Sequence, residues 1–438
     1  MKRKTFHIVS LGCAKNTVDA DSMAVLLCRA GYRLITSPNQ AHIIIINTCG
    51  FINTAKDDSY RTLESFAQNK KEKQLLIAAG CLTQRYGEMV IQRIPQIDAI
   101  IGTRDWQNIV GMVNNLCQNN ETSDDTSSNN APQNSCSVPR YSIQGASAYL
   151  KIADGCSRKC SFCAIPSIKG PAVSRPLQQI LDEARQLQEL GIKELVLIAQ
   201  NSTDYGHDIG IKNGLVRLLK ELTLVVPDIN WLRIMYAYPG FVTDELIELM
   251  SESKQIVPYL DMPLQHSHPD VLRSMQRPAN MEWVYKTLSK MRQVIPGLAL
   301  RSTFIVGYPN ENEEHFQSLL DFIQEIRFDK LGAFKFSYEP GTPSAVLGDP
   351  ISERTKEERL GKLMAMQQQI SRELNINCIG KTLHVLIEGS DDGISVGRSY
   401  RDAPEVDGLV IVKGVVPVGS FLPVRITEAT EYDLFGEV

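Results

Sequence analysis

The sequence predicts an α/β protein in three parts: an N-terminal open parallel α/β sheet, a central partial (β/α) barrel of the TIM type, and a small C-terminal antiparallel β-barrel of the OB-like kind. Short runs of Ile, Val and Leu alternate with amphipathic stretches before residue 111 and again between residues 147 and 375. From residue 381 onward, short β-type runs are broken by Gly, Pro and Asp turns. A chain of 438 residues is long enough for about two to four domains, and we expect three.

The composition is that of a globular protein without a membrane span. Hydrophobic residues make up 43% of the chain and charged residues 22%, which excludes a wholly disordered or fibrous protein. No apolar run approaches the roughly 20 residues of a membrane helix, and the N-terminus MKRKTFHIVS lacks the features of a signal peptide. We therefore expect a cytoplasmic protein with no membrane partner. The net charge of −4 indicates no overall surface for a polyanion.

Residues 1–113 form the predicted N-terminal domain. The runs FHIVSL, AHIIIIN and KQLLIAAG are short and apolar, and each is followed by a helix-like segment, as buried parallel strands are. Residues 114–140 are dominated by Asn, Ser, Asp, Gln and Thr, a composition that cannot offset the entropy lost on ordering. We predict a flexible linker over these residues.

Residues 141–375 form the predicted barrel domain. Helical patterns around 177–190, 215–224 and 282–294 alternate with the strand-like runs ELVLIAQ, NWLRIMYA, LALRSTFIVG and LGAFKFSYEP. A final helix rich in Glu, Lys, Met and Gln is predicted over 353–374. Residues 376–438 form the third predicted domain, in which TLHVLIEG, GLVIVKG and FLPVRITEAT are strand-like and separated by turn residues.

The strongest local signal is the segment GCSRKCSFCAIPSIKG, in which Cys156, Cys160 and Cys163 have the spacing C-x-x-x-C-x-x-C. Three thiolates on one loop can hold three corners of an iron–sulfur cube and leave the fourth iron without a protein ligand. Zinc is the alternative, but a structural zinc site needs a fourth Cys or His, and the next candidate, His207, is about forty residues away. A disulfide is disfavoured because thiols stay reduced in the cytosol.

Three further cysteines each end a strand-like run in the N-terminal domain: Cys13 in SLGC, Cys49 in IINTC and Cys81 in IAAGC. Because the carboxyl ends of parallel strands share one edge of a sheet, we expect these cysteines to converge there as a second three-thiolate site. The alternative is that each is a small buried apolar residue. A glycine neighbours each cysteine and would let the backbone approach an inorganic cofactor closely. These glycines are Gly12, Gly50 and Gly80.

The other four cysteines are not expected to be ligands, because they lie in a helical pattern, in the polar linker or just before the terminal domain. They are Cys28, Cys117, Cys136 and Cys378. The segment PLQHSH also contains His266 and His268. We predict that these histidines form hydrogen bonds and do not bind a metal, since loop histidines without a matching partner usually do so.

The three-cysteine loop after a strand resembles that of the radical S-adenosylmethionine superfamily. The resemblance implies a four-iron four-sulfur cluster whose free iron binds the amino and carboxylate groups of S-adenosylmethionine, with Phe162 near the adenine. It also implies that an electron from the cluster breaks the sulfonium bond and yields a 5′-deoxyadenosyl radical. The protein itself would then fix geometry and exclude water.

Beyond this loop, the chain resembles the methylthiotransferases, which insert a methylthio group at an unactivated C–H bond. The resemblance covers nearly the whole chain outside the linker. It is carried by SLGCAKN, NTCGFINTAKDDS, GCLTQRY, YLKIADGCSRKCSFCAIPSIKG, DMPLQHS and GRSYRDAPEVDG. These segments are most similar to the branch that modifies the β-carbon of an aspartate in the twelfth small-subunit ribosomal protein.

In that branch, the N-terminal domain holds an auxiliary cluster, the barrel holds the radical cluster, and a C-terminal TRAM domain recognises the substrate. The resemblance therefore implies two 4Fe-4S clusters, S-adenosylmethionine and an electron donor. One cofactor molecule would donate the methyl group, and a second would supply the radical that abstracts hydrogen from the aspartate. No catalytic residue is expected beyond the six cluster-binding cysteines.

Three positions outside the cysteine loop are implied to contact the cofactor. Gln200, at the end of ELVLIAQ, would meet its amino group, Arg175 in VSRP its carboxylate, and Gly307 in FIVGYP would let the backbone approach the adenine. For Gln200 and Arg175 the alternative is an ordinary polar loop residue. The chain departs from the family pattern at residues 310–312, which read Asn-Glu-Asn where Gly-Glu-Thr is usual, and at residues 267–269, which read Ser-His-Pro. Both departures bear on the cofactor pocket and leave the cysteines untouched.

The charge of the C-terminal segment favours a protein substrate over transfer RNA. A related enzyme built from the same domains methylthiolates an adenosine in transfer RNA. From residue 381 to 438, however, five Lys and Arg stand against ten Asp and Glu, so this segment should repel RNA and complement a basic ribosomal protein, free or on the ribosome. The loop DAPEVDG, with Asp402, Glu405 and Asp407, is the candidate contact, and a solvated turn is the alternative.

A non-catalytic iron–sulfur or zinc protein is the alternative from another class. Electron carriers usually complete the ligand set with a fourth Cys, which neither cysteine set has. We therefore expect an enzyme, a transferase of sulfur-containing groups.

Overall fold

The computed structural model describes residues 4–119 and 143–438 of the chain. They fall into two compact units, one of Met1–Ser142 with Ala164–Pro171 and one of Ile143–Cys163 with Ala172–Val438. In the first unit, five strands form one parallel sheet in the order β2-β1-β3-β4-β5. The elements of this unit are β1 (Thr5–Ser10), α1 (Ala14–Arg29), β2 (Arg33–Leu34), β3 (Ile43–Thr48), α2 (Asn53–Gln68), β4 (Leu75–Gly80), α3 (Cys81–Arg93), β5 (Ala99–Gly102), α4 (Ile109–Asn119) and α5 (Ile165–Lys169).

Both faces of this sheet are covered, as the sequence predicts. Every residue of β3 and β4 is buried, which explains why their sequences are continuous apolar runs without polar alternation. One apolar cluster packs around Phe6, Met23 and Leu27, and a second packs around Leu63 and Leu82. The N-terminal part of the predicted fold class is thus confirmed.

Helix α4 extends past residue 113, where the composition predicts the linker to begin. Cys117, expected in that linker, is 8% exposed and packs in the apolar core with Ile109 and Val113. These three residues are spaced four apart, about one helical turn, so their side chains lie on the same face of α4. The free energy gained by burying this face stabilises the helix although the segment is polar in composition. The rest of the predicted linker, including Cys136, lies outside the described residues.

The second unit begins with the predicted partial barrel. Six strands, β7 and β10 to β14, are parallel, and β6 pairs antiparallel with β7 at one edge. The elements are β6 (Ile143–Gln144), β7 (Ser147–Lys151), β8 (Ala153–Asp154), β9 (Val173–Ser174), α6 (Leu177–Glu189), β10 (Glu194–Ile198), α7 (Gly214–Val225), β11 (Trp231–Ile234), α8 (Asp244–Glu252), β12 (Ile256–Asp261), α9 (Pro269–Ser274), α10 (Met281–Val294), β13 (Ala299–Val306), α11 (Glu313–Ile326), β14 (Lys330–Lys335) and α12 (Glu353–Ile376).

The C-terminal strands close into a five-stranded barrel in the order β15-β16-β17-β19-β18. All pairs are antiparallel, as predicted, except β17 with β19, which is parallel. The exception is required, because an odd number of strands cannot alternate in direction all the way around a closed barrel. The strands are β15 (Thr382–Asp391), β16 (Ile394–Ser399), β17 (Val410–Lys413), β18 (Phe421–Ala429) and β19 (Leu434–Glu437).

Buried ion pairs join this small barrel to the large one. Glu194, at the first position of β10, lies 2.6 Å from Arg398 of β16 and 2.7 Å from Arg233 of β11, and all three side chains are at most 1% exposed. Lys330, at the first position of β14, pairs with Asp402 at 2.6 Å. The small barrel therefore packs against the end of the large barrel at which its strands begin.

The DAPEVDG loop lies at this junction, so the prediction that it contacts the substrate is wrong for two of its acids. Asp402 is 3% exposed and neutralised by a barrel lysine. The Asp407 carboxylate accepts a hydrogen bond from the Tyr259 hydroxyl at 2.6 Å and lies 3.4 Å from Arg301. Of these three acids, only Glu405 is exposed, and its carboxylate accepts a hydrogen bond from the Tyr149 hydroxyl of the barrel.

Among the described helices, none is both long and apolar enough to cross a membrane.

Candidate functional site

The loop of Cys156, Cys160 and Cys163 follows the short strand β8, at the end of the barrel where its strands finish. Ser161 anchors this loop, because its amide donates to the Met275 carbonyl at 2.9 Å and its hydroxyl to the Ser274 carbonyl at 2.8 Å. The end of α9 thus anchors the cysteine loop at Ser161.

The environment of these thiols fits metal ligation. Burial raises the pKa of the Cys156 thiol, the Arg158 amide lowers it by donating a hydrogen bond, and the nearby Cys160 raises it. Cys160 is 8% exposed. A cation would remove the thiol protons and offset the repulsion between neighbouring thiolates.

Two side chains that the sequence analysis missed contact the Cys160 sulfur. The Tyr238 hydroxyl and the Arg277 guanidinium each lie 3.7 Å from Cys160 Sγ. Tyr238 follows β11 and Arg277 follows α9, so neither belongs to a motif with fixed spacing from the cysteines. The only sequence signal for Tyr238 and Arg277 is an aromatic or basic residue just after a barrel element, and this signal is weak.

Gln200, one of the predicted cofactor contacts, lies two residues after the end of β10 and partly fits that role. Its amide nitrogen donates to the Asp154 carboxylate at 3.1 Å. Its side-chain carbonyl oxygen Oε1 is buried and has no hydrogen-bond partner among the described residues, and neither has the side-chain nitrogen Nδ2 of the next residue, Asn201. Unpaired buried polar atoms are costly, so these two atoms are suited to a polar ligand.

Arg175 and Phe162 already have protein partners. The Arg175 guanidinium donates to the Lys151 carbonyl at 2.7 Å and pairs with Glu183 at 2.7 Å. A cofactor carboxylate would have to share this guanidinium. Phe162 packs partly buried against an apolar cluster that contains Tyr308.

Gly307 sits in a tight loop whose glycine is required by the protein itself. Its φ is +74°, and a Cβ would lie 2.4 Å from Cγ of Lys356. Its amide donates to the Glu311 carboxylate at 2.9 Å.

The nearby departure from the family pattern, Asn312, is the N-cap of α11. Its side chain accepts a hydrogen bond from the His315 amide, a role that Asn fills as well as Thr. The departure therefore preserves the start of this helix.

His266 lies beside the same loop. It is fully buried, its Nδ1 accepts from the His268 amide at 2.9 Å, and its Nε2 lies 3.3 Å from the Glu311 carboxylate. Burial lowers the pKa of His266, so the ring is neutral at pH 7. Both ring nitrogens face groups of the chain itself.

The second cysteine set lies in the first unit, at the carboxyl edge of its sheet. Cys13 is the N-cap of α1 after β1, Cys49 directly follows β3, and Cys81 directly follows β4. These three strands are neighbours in the sheet. A Cβ on Gly12 would lie 2.7 Å from Cβ of Cys49, so this glycine lets the segments of Cys13 and Cys49 approach each other.

Electrostatics link these three thiols. Burial raises the pKa of Cys81 to about 12, Lys169 lowers it, and Cys13 and Cys49 raise it. Burial also raises the pKa of Cys49, and Cys13 adds to the shift. The convergence expected at this sheet edge is therefore present in the structure.

Helix α5, which follows the cysteine loop in sequence, contributes to this second site. Ala164 and Ile168 pack with Cys81 in a small apolar cluster. Lys169 forms a buried ion pair with Asp19 of α1 at 3.0 Å, with both side chains 3% exposed. From sequence, this segment is predicted to belong to the barrel, and no motif indicates a role for Lys169.

The class of the protein follows from this fold and these sites. The Radical SAM superfamily matches residues 150–323, the TRAM domain matches residues 379–438, and Uncharacterized protein family UPF0004 matches residues 5–102. The chain is a radical S-adenosylmethionine enzyme with a C-terminal TRAM domain.

Full-length relatives identify the family within this class. The chain is 44% identical over 467 residues to ribosomal protein uS12 methylthiotransferase RimO of Herpetosiphon aurantiacus, with 99% of each chain covered. It is 43% identical to the protein of that name in Synechocystis, covering 99% of this chain and 97% of the relative. The chain belongs to the RimO methylthiotransferase family, and it is a transferase of sulfur-containing groups that uses S-adenosylmethionine and an iron–sulfur cluster.

Two solved structures share the fold. One is the radical S-adenosylmethionine methyltransferase TsrM of Kitasatospora setae, with a TM-score of 0.59, 13% identity, and coverage of 90% of this chain and 81% of that one. The other is the cobalamin-dependent enzyme OxsB, with a TM-score of 0.52, 14% identity, and coverage of 84% of this chain and 56% of that one. At such identities the likeness concerns the fold alone.

Proposed function

We propose that the protein adds a methylthio group to the β-carbon of an aspartate in ribosomal protein uS12, using two 4Fe-4S clusters and S-adenosylmethionine. The observation that carries this proposal is the presence of two separate sets of three cysteines, one in each compact unit. One set lies on a single loop after β8, and the other lies at the ends of three neighbouring strands. The relatives named for uS12 methylthiotransfer cover nearly the whole chain, which supports the choice of substrate.

Cys156, Cys160 and Cys163 would hold the cluster that binds S-adenosylmethionine. The cluster and this cofactor, when bound, supply the radical that removes a hydrogen atom from the substrate. Gln200 would orient the cofactor through its unpaired carbonyl oxygen, and Arg175 would share its guanidinium with the cofactor carboxylate. Phe162 and Gly307 would border the adenine.

Cys13, Cys49 and Cys81 would hold the second cluster. The raised pKa values of Cys49 and Cys81 support this assignment, because each is increased further by the neighbouring cysteines and one metal centre would relieve that repulsion. The buried pair of Lys169 with Asp19 would keep a positive group beside this centre. A vacant iron there would carry the sulfur that is methylated and transferred.

The exposed charges of the TRAM domain support a basic partner. Its exposed basic residues are Lys381, Lys413 and Arg425, whereas Arg398 and Arg401 are buried in ion pairs with barrel acids. Its exposed acidic residues are Asp391, Asp392, Glu405, Glu428 and Glu437. Such a surface complements a ribosomal protein rich in Lys and Arg and disfavours transfer RNA.

The proposed domains are the auxiliary-cluster domain, the radical barrel over residues 141–375 and the TRAM domain over residues 376–438. The auxiliary-cluster domain begins at residue 1 and extends beyond residue 113 to the end of α4 at Asn119. Because the proposed substrate is a ribosomal protein, we propose that the enzyme acts in the cytoplasm, supplied by a one-electron donor of low potential.

The first test counts iron after anaerobic reconstitution. The full chain should bind about eight irons, and the triple variant Cys13→Ala, Cys49→Ala, Cys81→Ala about four. The triple variant should still cleave S-adenosylmethionine when reduced but should not methylthiolate. Cys117→Ala, which removes a buried cysteine of the same unit, is the control and should keep about eight irons. Bound zinc in place of iron would contradict the proposal.

The second test identifies the substrate. Mass spectrometry of uS12 and of bulk transfer RNA, from cells with and without the gene, should find the added methylthio mass on uS12 only. Its appearance on transfer RNA, with uS12 unmodified, would reject the proposed substrate and leave the cluster assignment standing.

A further inference from the structure

We propose that Tyr238 and Arg277 donate hydrogen bonds to the sulfur of Cys160 and thereby raise the reduction potential of the cluster that this cysteine binds. The inference rests on the proposed role of Cys160 as a cluster ligand. Two residues outside the cysteine motif would thus make the cluster easier to reduce, and the reduced cluster is the one that generates the radical.

The geometry supports two donors on one sulfur. The Tyr238 hydroxyl and the Arg277 Nη1 are each 3.7 Å from Cys160 Sγ, within the range for hydrogen bonds to sulfur. The Arg277 guanidinium also lies over the Tyr238 ring, 4.3 Å from its centroid. The two side chains thus support each other by a cation–π contact while both face the same thiolate.

Each donor is held in place by the backbone. Arg277 also donates to the Pro263 carbonyl, and it follows Gln276, whose φ is +52°. Tyr238 is fixed by its amide, which donates to the Thr203 hydroxyl at 3.0 Å. A residue in the left-handed region costs free energy, so the turn at Gln276 is maintained by its surroundings and directs Arg277 to the sulfur.

Arg277 brings a guanidinium group to the Cys160 sulfur. Among the residues that the structure describes, no carboxylate pairs with Arg277, whereas the neighbouring Arg158 pairs with Asp204 at 2.5 Å. Arg277 therefore offers a full positive charge beside Cys160. At neutral pH a phenol is protonated, so Tyr238 acts as a donor to a thiolate.

The sign of the effect follows from charge. Reduction adds one electron from a one-electron donor to the cluster and its thiolates, so the reduced form is more negative and gains more from hydrogen bonds and a nearby cation. Removing either donor should therefore lower the potential. Cys156 receives a donor from the backbone amide of Arg158, which side-chain substitutions leave in place.

The experiment measures the midpoint potential of one cluster by a redox titration followed by electron paramagnetic resonance. The full chain carries the substitutions Cys13→Ala, Cys49→Ala and Cys81→Ala, so that only the cluster of the barrel contributes to the signal. Tyr238→Phe keeps the ring and its contact with Arg277, and Arg277→Gln removes the charge. Each should reduce the equilibrium constant for one-electron reduction about tenfold, which is a shift of about 59 mV to lower potential.

Tyr308→Phe is the matched control. Its hydroxyl contacts the Ser161 hydroxyl at 2.8 Å and donates to the Ser274 carbonyl at 3.0 Å, so it holds the same cysteine loop without touching a sulfur. The midpoint potential of the cluster in the Tyr308→Phe variant should equal that in the parent triple variant. An equal shift in Tyr308→Phe and Tyr238→Phe would attribute the effect to loop anchoring and overturn the inference.

The ligand role of Cys160 and the donor role of Tyr238 and Arg277 can be rejected separately. If Cys160→Ala kept all of the iron, Cys160 would not be a ligand, and the proposed cluster site would be wrong. If Cys160→Ala lost the iron while Tyr238→Phe and Arg277→Gln left the potential unchanged at full iron content, only the role of the two donors would be rejected.

Discussion

At the scale of single residues, the reason why a glycine is needed at position 307 can be tested: either the fold requires it or the cofactor does. Its φ is +74° and a Cβ would lie 2.4 Å from Lys356 Cγ, whereas Gly341 has a φ of +79° and a Cβ there would have no atom within 4 Å. Gly341→Ala should cost about 1–2 kcal/mol from backbone strain alone. Gly307→Ala should cost about 1–3 kcal/mol more, because Lys356 is 2% exposed and cannot move freely.

Urea unfolding of the full chain, followed on the transition of the barrel unit, measures both free energies. Equal costs for the two variants, together with weaker binding of S-adenosylmethionine by Gly307→Ala, would show that the cofactor and not Lys356 requires this glycine.

Single residues also mark the limit of the sequence analysis. The six cysteines could be proposed as ligands because strand ends and fixed spacing are visible in one dimension. Tyr238 and Arg277 reach Cys160 from loops 78 and 117 residues further along the chain, and no local pattern reports such a contact. Gly307 was expected to face the adenine, yet its nearest neighbour is a lysine of α12 that sequence spacing does not connect to it.

At the scale of elements, the β15–β16 hairpin is the part of the TRAM domain best placed to test charge recognition. Asp391 and Asp392 are exposed at its turn, and the Asp391 carboxylate accepts from the Asp392 amide at 2.9 Å. The double variant Asp391→Asn, Asp392→Asn keeps an acceptor and a residue that tolerates positive φ, so the turn should persist while two charges are lost. Association with purified uS12 at low ionic strength should slow by about two- to fivefold.

Stopped-flow association at several salt concentrations is the measurement, and the difference should shrink as salt screens the charges. The control Asp228→Asn, Glu248→Gln removes two exposed acids outside the TRAM domain and should leave the rate unchanged. A hairpin variant that behaves like this control would exclude the hairpin as a contact for uS12.

The elements also show why composition misjudged the DAPEVDG loop. Three acids near turn residues are typical of a solvated loop and therefore predict a surface contact. Asp402 and Asp407 are instead neutralised by Lys330 and Arg301, which lie far earlier in the chain. A charge count cannot distinguish an exposed acid from one paired across a domain junction. The helical and strand boundaries of the barrel were predictable because periodicity is local.

At the scale of the whole molecule, the TRAM domain and the barrel fold as parts of one unit. Arg398, from the small barrel, shares Glu194 with Arg233, from the large barrel, and also pairs with Glu388 at 2.6 Å. Two carboxylates, one from each domain, thus compensate the two guanidinium groups. Breaking such a network leaves buried charges unpaired, which is far more costly than losing a surface pair. The junction therefore links the folding of the TRAM domain to the stability of the barrel.

The pH dependence of stability should report this junction. Burial raises the pKa of Glu194, but Arg398 and Arg233 outweigh burial and lower it to about 2. Because the folded pKa lies below the unfolded one, the ionised carboxylate stabilises the fold above about pH 4.5, and this contribution is lost as pH falls toward about 2. A shift of this size corresponds to about 3 kcal/mol at pH 7 and about half of that at pH 3.

Glu194→Gln should therefore destabilise the barrel unit by about 3 kcal/mol at pH 7, and the gap to the parent should close as pH decreases. Urea unfolding of the full chain without reconstituted clusters, at pH 7 and pH 3, measures the gap without interference from loss of iron. Glu248→Gln, which removes an exposed acid of α8, should leave the free energy of unfolding nearly unchanged at both values. A gap for Glu194→Gln that stayed constant with pH would mean that the carboxylate is not ionised in the folded protein, and the junction would then be held by packing.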